Sequence, residues 1–306
     1  MTTEKLITSA QTDKVADLGR EAVKTAVGKV NSTSTNVQTG IISNGREFKN
    51  RVEEAVKAII LEMTTPNQYA NEVVSSSYTY PSEYKMKPIM EQVQTIANMF
   101  GLDPTQALEF IKTLPALPDG AEGWFAIPKV SAVAKKHFPA ITDPAEQYCE
   151  ALKLVHSKVA ENRSFTNYRE GQITTAQIRQ HPRTLSFLEQ LESEQQGDIL
   201  ILAVQYGMRH RGKSVRRARE TFSGNEFGLG AFAIGCMALV HPERYVRWEE
   251  LDTDCPGDEF APGAGGVFSG APIWGFGGDE LRFGTGGVSG ARACFGSVSA
   301  FVVPQN

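Results

Sequence analysis

Along the first two thirds of the chain, apolar residues recur three and four positions apart, and each run is closed by proline, glycine or a polar stretch. Leu6, Val15, Leu18, Ala22, Val23 and Val27 predict a helix over residues 1–30, and NSTSTNVQTG after it predicts a loop or hinge. In EFKNRVEEAVKAIILEM, Phe48, Val52, Val56, Ile59, Ile60 and Met63 share one face, which predicts a helix from Gly45 to Met63 ended at Thr64-Thr65-Pro66. The same spacing predicts helices over about 88–100 and about 105–114, the second started by Asp103-Pro104. GWFAIPKVSAVAKKHF begins extended and continues as a helix to Phe138. Asp143-Pro144 opens another helix to about Asn162, and Thr174 to Leu191 reads as one more, with a break at His181-Pro182.

At Gly197 the pattern changes. DILILAVQY is a short apolar run between glycines, as a buried strand would be, and SVRRARETF after it is helix-compatible. FGLGAFAIGCMALV, small and apolar throughout, predicts a tightly packed helix closed by His241-Pro242, and RYVRWEELDTD reads as extended. From Cys255 onward the chain holds 13 of its 28 glycines, interleaved with Phe260, Phe268, Trp274, Phe276, Phe283, Phe295 and Phe301. Short aromatic-anchored strands joined by tight turns are the expectation. The fold class is therefore α+β: an all-helical domain over 1–196, then a mixed module of short irregular strands over 197–306.

Composition narrows the class further. With 306 residues, 41% hydrophobic and 22% charged, the chain has the makings of two globular domains rather than a disordered or fibrous polymer. A net charge of −4 gives no general attraction to nucleic acid or anionic membranes. No apolar run is long enough for a membrane span, and MTTEKLITSAQTDK lacks a signal peptide's apolar core, so a cytoplasmic location is the default expectation. Cys149, Cys236, Cys255 and Cys294 form no CxxC pair and have no histidine at ligand spacing, which predicts buried free thiols and no zinc site. His137 and His156 lie on amphipathic helices without a nucleophile at a recognisable spacing, so structural roles, no catalytic residue and no cofactor are expected.

One motif argues otherwise. Residues 207–214, GMRHRGKS, satisfy G-x-x-x-x-G-K-[ST] between a predicted strand and a helix, so Lys213 and Ser214 would meet phosphates and magnesium in a nucleotide-binding alternative. Bulky Met208, Arg209, His210 and Arg211 sit poorly in a loop that must curl round a phosphate, and no later strand supplies a magnesium-binding acid. The competing reading pairs the basic run Arg209, Arg211, Lys213, Arg216, Arg217 and Arg219 with Asp252, Asp254, Asp258 and Glu259, clamping the tail to its support. A nucleic-acid patch ranks lower, for want of interleaved aromatics.

The order of strand, basic helix RGKSVRRARETF, apolar helix NEFGLGAFAIGCMALVHPERYV, CPGDEFAPG and PIWGFGGDELRFGTGGVSGARACFGSVSAF resembles the C-type lectin fold of the formylglycine-generating-enzyme type. More narrowly, it resembles the target (variable) proteins of diversity-generating retroelements, over residues 197–306. That resemblance implies a non-enzymatic display protein that binds a protein or other macromolecular ligand through a changeable C-terminal face. The paired active-site cysteines of the family's oxidising enzymes are not matched, because Cys294 stands alone in the final segment. Trp274, Phe276, Leu281, Phe283, Val288, Phe295, Val298 and Phe301 would point inward, with turns at Gly277-Gly278 and Gly286-Gly287. The binding face would comprise Ile273, Trp274, Gly275, Gly277, Gly278, Gly286, Gly287, Ser289, Gly290, Arg292, Ala293, Cys294 and Phe295, with Trp274 and Phe295 belonging to both sets. The helical domain would position or oligomerise the molecule. A viral or cellular structural subunit is the third class.

Overall fold

The computed structural model describes residues 9–29, 34–64, 67–263 and 266–303. They fall into two compact units divided at Thr65. The first unit is helical: α1 (Ser9–Lys29), α2 (Ser34–Val37), a π-helical turn (Gln38–Ile42) and α3 (Gly45–Thr64). The stretch expected to be a loop is thus helical from Ser34 onward. In α1, Val15, Leu18 and Val27 are exposed and Val23 is half-buried. Leu6, Thr65 and Pro66 lie outside the described residues, as do the side chains of Ile59 and Met63.

The second unit continues with α4 (Ile89–Phe100), α5 (Thr105–Ile111), β1 (Gly123–Pro128), α6 (Val130–His137), α7 (Pro144–Asn162), β2 (Phe165–Asn167), β3 (Ile178–Gln180) and α8 (Pro182–Glu194). It closes with β4 (Ile199–Gln205), α9 (Val215–Glu220), β5 (Glu226–Gly228), α10 (Ala231–Val240), β6 (Asp252–Asp254), β7 (Asp258–Phe260), β8 (Gly270–Gly277), β9 (Glu280–Gly287), β10 (Phe295–Ser297) and β11 (Ser299–Phe301). The chain is α+β, as its pattern implied. Helix starts follow the sequence signals closely: Asp143 accepts a hydrogen bond from the Glu146 amide with Pro144 in the first turn, and α4 ends on Gly101 at φ 66°.

A four-stranded antiparallel sheet has the order β1-β4-β11-β5. A seven-stranded mixed sheet runs β10-β6-β8-β7-β3, with β9 beside β8 and β2 parallel to β9. Helix α10 packs on α7, β1 and β8 and so bridges the two sheets, which is why all ten of its residues are buried. Its one glycine makes room: a Cβ at Gly235 would stand 2.6 Å from Val155 and 2.8 Å from Trp274.

This architecture corrects the expected domain organisation. Residues before 197 are not all helical: β1 pairs antiparallel with β4, β2 parallel with β9, and β3 antiparallel with β7. A boundary at 196/197 would cut through both sheets and their common core, and the division lies at Thr65 instead. GWFAIP is apolar on both faces and carries no period, while β2 and β3 are three residues each, too short for alternation to register. The predicted helix from Thr174 begins only at Pro182, because Ile178–Gln180 is drawn into the sheet edge.

Candidate functional site

Strands β8 and β9 form a hairpin whose two faces carry different chemistry. Side chains alternate across a strand, and cross-strand partners share a face. On the inner face Trp274 pairs with Phe283 and with Thr253 of β6, and Phe276 pairs with Leu281. Trp274, Leu281 and Phe283 are fully buried. The Trp274 ring stacks near Phe165 (5.8 Å) and meets His156 and Phe283 edge-on at 5.3 and 5.1 Å, while its indole N–H donates to the Ala231 carbonyl of α10 at 3.1 Å. Burial pushes the His156 imidazole down to about 3, so it stays neutral and serves as a core aromatic. Tight reversal is provided by Gly278 and Asp279, both left-handed (φ 58° and 62°), the pattern of a two-residue hairpin turn that follows the twist of the strands.

The outer face holds Ala271, Ile273, Gly275 and Gly277 of β8 opposite Gly286, Gly284, Arg282 and Glu280 of β9. Asp254 of β6 lies beside Ile273 on this side, and Asp252, with Phe295 of β10 opposite it, extends the same surface. The glycines form a bed on which long charged side chains lie. A Cβ at Gly275 would stand 2.7 Å from the Asp252 carboxylate, at Gly277 2.9 Å from the Arg282 guanidinium, and at Gly286 2.8 Å from that of Arg292. Arg282 reaches Glu280 at 3.2 Å, and Arg292 reaches Asp254 at 3.4 Å while stacking 3.5 Å above the Phe295 ring.

The two aspartates are electrostatically unusual. Burial raises the Asp252 carboxyl to about 7, against the opposing effects of the Phe276 amide, Arg244 and Arg292. Burial likewise raises Asp254 to about 6, with Arg292 opposing. Asp258, raised by burial to about 7, belongs to the inner side, where Tyr148 Oη and the Ala231 amide each donate to Oδ2 at 2.6 Å.

Most of the face expected from sequence does gather here, but its members are not equivalent. Ile273, Arg292, Ala293 and Cys294 are half-buried, and Gly287, Ser289 and Gly290 are exposed. Gly287 has open space around it and Gly290 has its nearest neighbour at 3.8 Å, so side chains fit at both. Gly275, Gly277 and Gly286 are floor, and Gly278 is held by its turn. Trp274 belongs wholly to the core. Phe295 shares the outer side but is buried beneath Arg292. Gly286-Gly287 ends β9 rather than forming a turn, and the chain reverses at 288–289. Ala271, Glu280, Arg282, Gly284, Asp252 and Asp254 were missed as members of the face; the alternation in Leu-Arg-Phe-Gly-Thr-Gly carries the signal for Arg282 and Gly284, whereas β6 is too short to show one.

The expected clamp between the basic run and the acidic cluster does not form. Arg209 lies 3.5 Å from Glu226, Arg216 binds Glu72, Arg217 pairs with Glu220 at 2.7 Å, and Arg211 donates to the Tyr78 carbonyl at 2.9 Å. Only Arg219 reaches the cluster, donating to the carbonyls of Pro256 and Asp258 at 2.8 and 2.7 Å. Backbone carbonyls outcompete the carboxylates because Asp258 faces inward and Glu259 is taken by Arg179 at 2.7 Å. The segment from Glu72 to Thr79 does the fastening: Val74 N donates to Gly212 O, Leu251 N to Thr79 O, and Ser76 Oγ to Ala293 O on the rim of the face.

GMRHRGKS likewise has a local role. β4 before it is antiparallel to both neighbours, and α9 after it has six residues. Lys213 Nζ is held by His210 Nδ1 (3.2 Å) and Thr221 Oγ1 (3.1 Å), and Ser214 caps α9 while donating to Glu72. Since Lys213 donates to Nδ1, the proton of His210 sits on Nε2 and is given to Glu226 at 2.6 Å. Ser299 Oγ also donates to Glu226 at 2.6 Å. His210, Glu226 and Ser299 are buried and join the turn after β4 to β5 and β11. Among the described residues no group of three or more His, Cys, Asp or Glu is placed to hold a metal ion, and no helix is long and apolar enough to cross a membrane. No family model, curated protein or solved structure matches the chain.

Proposed function

We propose that this chain is a non-enzymatic ligand-binding protein, and that its contact surface is the outer face of the β8–β9 hairpin together with residues 288–294. The carrying observation is the division of labour between the two faces: Trp274, Leu281 and Phe283 hold the core, whereas Ile273, Gly287, Ser289, Gly290, Arg292 and Ala293 lie outside it. Those positions can change identity while the scaffold stays folded. A target protein of a diversity-generating retroelement, with a C-type-lectin-like fold, needs that property, and the resemblance in segment order points the same way. Two strands of eight residues offer a face about 26 Å long at roughly 3.3 Å per residue, which suits a protein or other macromolecule better than a small molecule. Arg282 and Arg292 are each matched by a carboxylate, which argues against a nucleic-acid backbone. Self-association through α1 and α3 would multiply a weak single contact.

The test is a library randomised at Ile273, Gly287, Ser289, Gly290, Arg292 and Ala293. Most members should fold with the parent's unfolding midpoint, and selection on a protein target should yield binders. Loss of folding in most members would refute the reading. At the gene, a neighbouring reverse transcriptase and a near-repeat of the 3′ end differing at adenines are expected.

A further inference from the structure

A recess whose lining shares no residue with the hairpin face lies against the four-stranded sheet. It encloses about 340 Å³ between α5, α8 and strands β1, β4 and β11. Three aromatic side chains, Phe110, Trp124 and Phe301, with the aliphatic Leu191 and Ile201, form its apolar part, and Thr113, Glu194 and Gln195 bring polar groups to the rest. Among the described residues, exposed Glu194 is the single charged residue lining it, and no cationic side chain does. Glu194 is also the last residue of α8, a helix of 13 residues, whose carbonyl end carries partial negative charge. Lys129 relieves part of this from behind, donating to the Gln195 and Glu192 carbonyls at 2.6 and 3.3 Å. Arg209 stands 5.8 Å from the Phe301 ring and is matched by buried Glu226. Among the described residues, the Glu194 carboxylate has the neutral Gln190 amide as its hydrogen-bond partner, at 2.9 Å.

The volume is of ligand-pocket size, and aromatic walls beside a carboxylate suit a compound that is apolar at one end and cationic at the other. From this geometry we infer that the recess binds a small compound with an aromatic or alkyl body and a terminal ammonium group. The body fills the space between Trp124, Phe110 and Phe301, and the cation meets Glu194 and the aromatic faces. This site is independent of the hairpin surface, so its failure and that of the display reading are separate events.

Trp124 lines the recess and reports occupancy by fluorescence, with Trp248→Phe removing the exposed background. The full chain is titrated with 4-phenylbutylammonium, 4-phenylbutanol and 4-phenylbutyrate, and calorimetry supplies the affinities. The ammonium compound should bind about tenfold tighter than the alcohol, and the carboxylate weakest. Glu194→Gln, at an exposed position, should cut that preference to about threefold, the part owed to the aromatic faces, while the alcohol binds as before. Thr113→Trp, which fills the recess from its exposed rim, should block all three without lowering the unfolding midpoint. Equal affinity for the three probes, an unchanged preference in Glu194→Gln, undiminished binding in Thr113→Trp, or no binding at millimolar probe would each overturn the inference.

Discussion

Replacing Asp252 by asparagine keeps the shape of the side chain, and with it the acceptor for the Phe276 amide at 3.0 Å, while removing the charge. In the folded chain this carboxyl titrates near 7 instead of its ordinary 3.8, because burial beside the glycine bed disfavours the anion more than Arg244 and Arg292 favour it. A raised carboxylate means that the native state holds its proton more tightly than the unfolded chain does. Its stabilising contribution is complete below about pH 3.8 and is lost as pH rises through about 7. At about 1.4 kcal/mol for each tenfold in proton affinity, the step amounts to about 4 kcal/mol, an upper figure because the side chain keeps some contact with water. Asp252→Asn lacks this step, whereas Asp254 and Asp258 titrate in both proteins and largely cancel in the comparison. Urea midpoints measured from pH 4.5 to pH 8.5 should therefore be similar at the acid end and diverge toward the alkaline end, where the variant is more stable by a few kcal/mol. A difference that does not change with pH, or a parent protein that gains on the variant as pH rises, would refute the account of this face as a reluctantly charged surface.

Core and face should separate sharply in thermal unfolding: Trp274→Ala is expected to cost about 3–5 kcal/mol, whereas Ser289→Ala and Ala293→Ser should each stay within about 0.5 kcal/mol. Burial alone would raise the Glu226 carboxyl, but hydrogen bonds from His210 and Ser299 hold it down to about 2 from an ordinary 4.5. Its contribution is therefore present above about pH 4.5 and lost as pH falls through about 2, so Glu226→Gln should cost about 3 kcal/mol at pH 7, with the gap narrowing in acid.

Elements with one clear period were legible in the sequence: α3, α4 and α7 each carry an apolar stripe, and β8 and β9 alternate about a turn expected at Gly277-Gly278 that lies one residue later, at Gly278-Asp279. What could not be read was pairing between distant short segments. β5, β6, β10 and β11 are three residues each, and their strand character comes from the ladders they join rather than from their own composition. The outer face was half visible for the same reason. Its β8 members and Gly286 follow from alternation along one hairpin, but Asp252 and Asp254 join it only because β6 lies beside β8. The basic run misled in an instructive way. Six cations close in sequence suggested one acidic counterpart, yet the helix and turns they occupy point them to separate partners, several of which are backbone carbonyls.

β11 follows the hairpin in the chain and threads between β4 and β5, supplying the middle of the four-stranded sheet. Any stop codon or frameshift arising between residues 270 and 294 deletes that strand and leaves the β4 and β5 edges with no partner. On the proposed display reading, a pool of altered genes would be sorted at the moment of folding: only chains read through in frame become stable protein, and incomplete products are left to proteolysis.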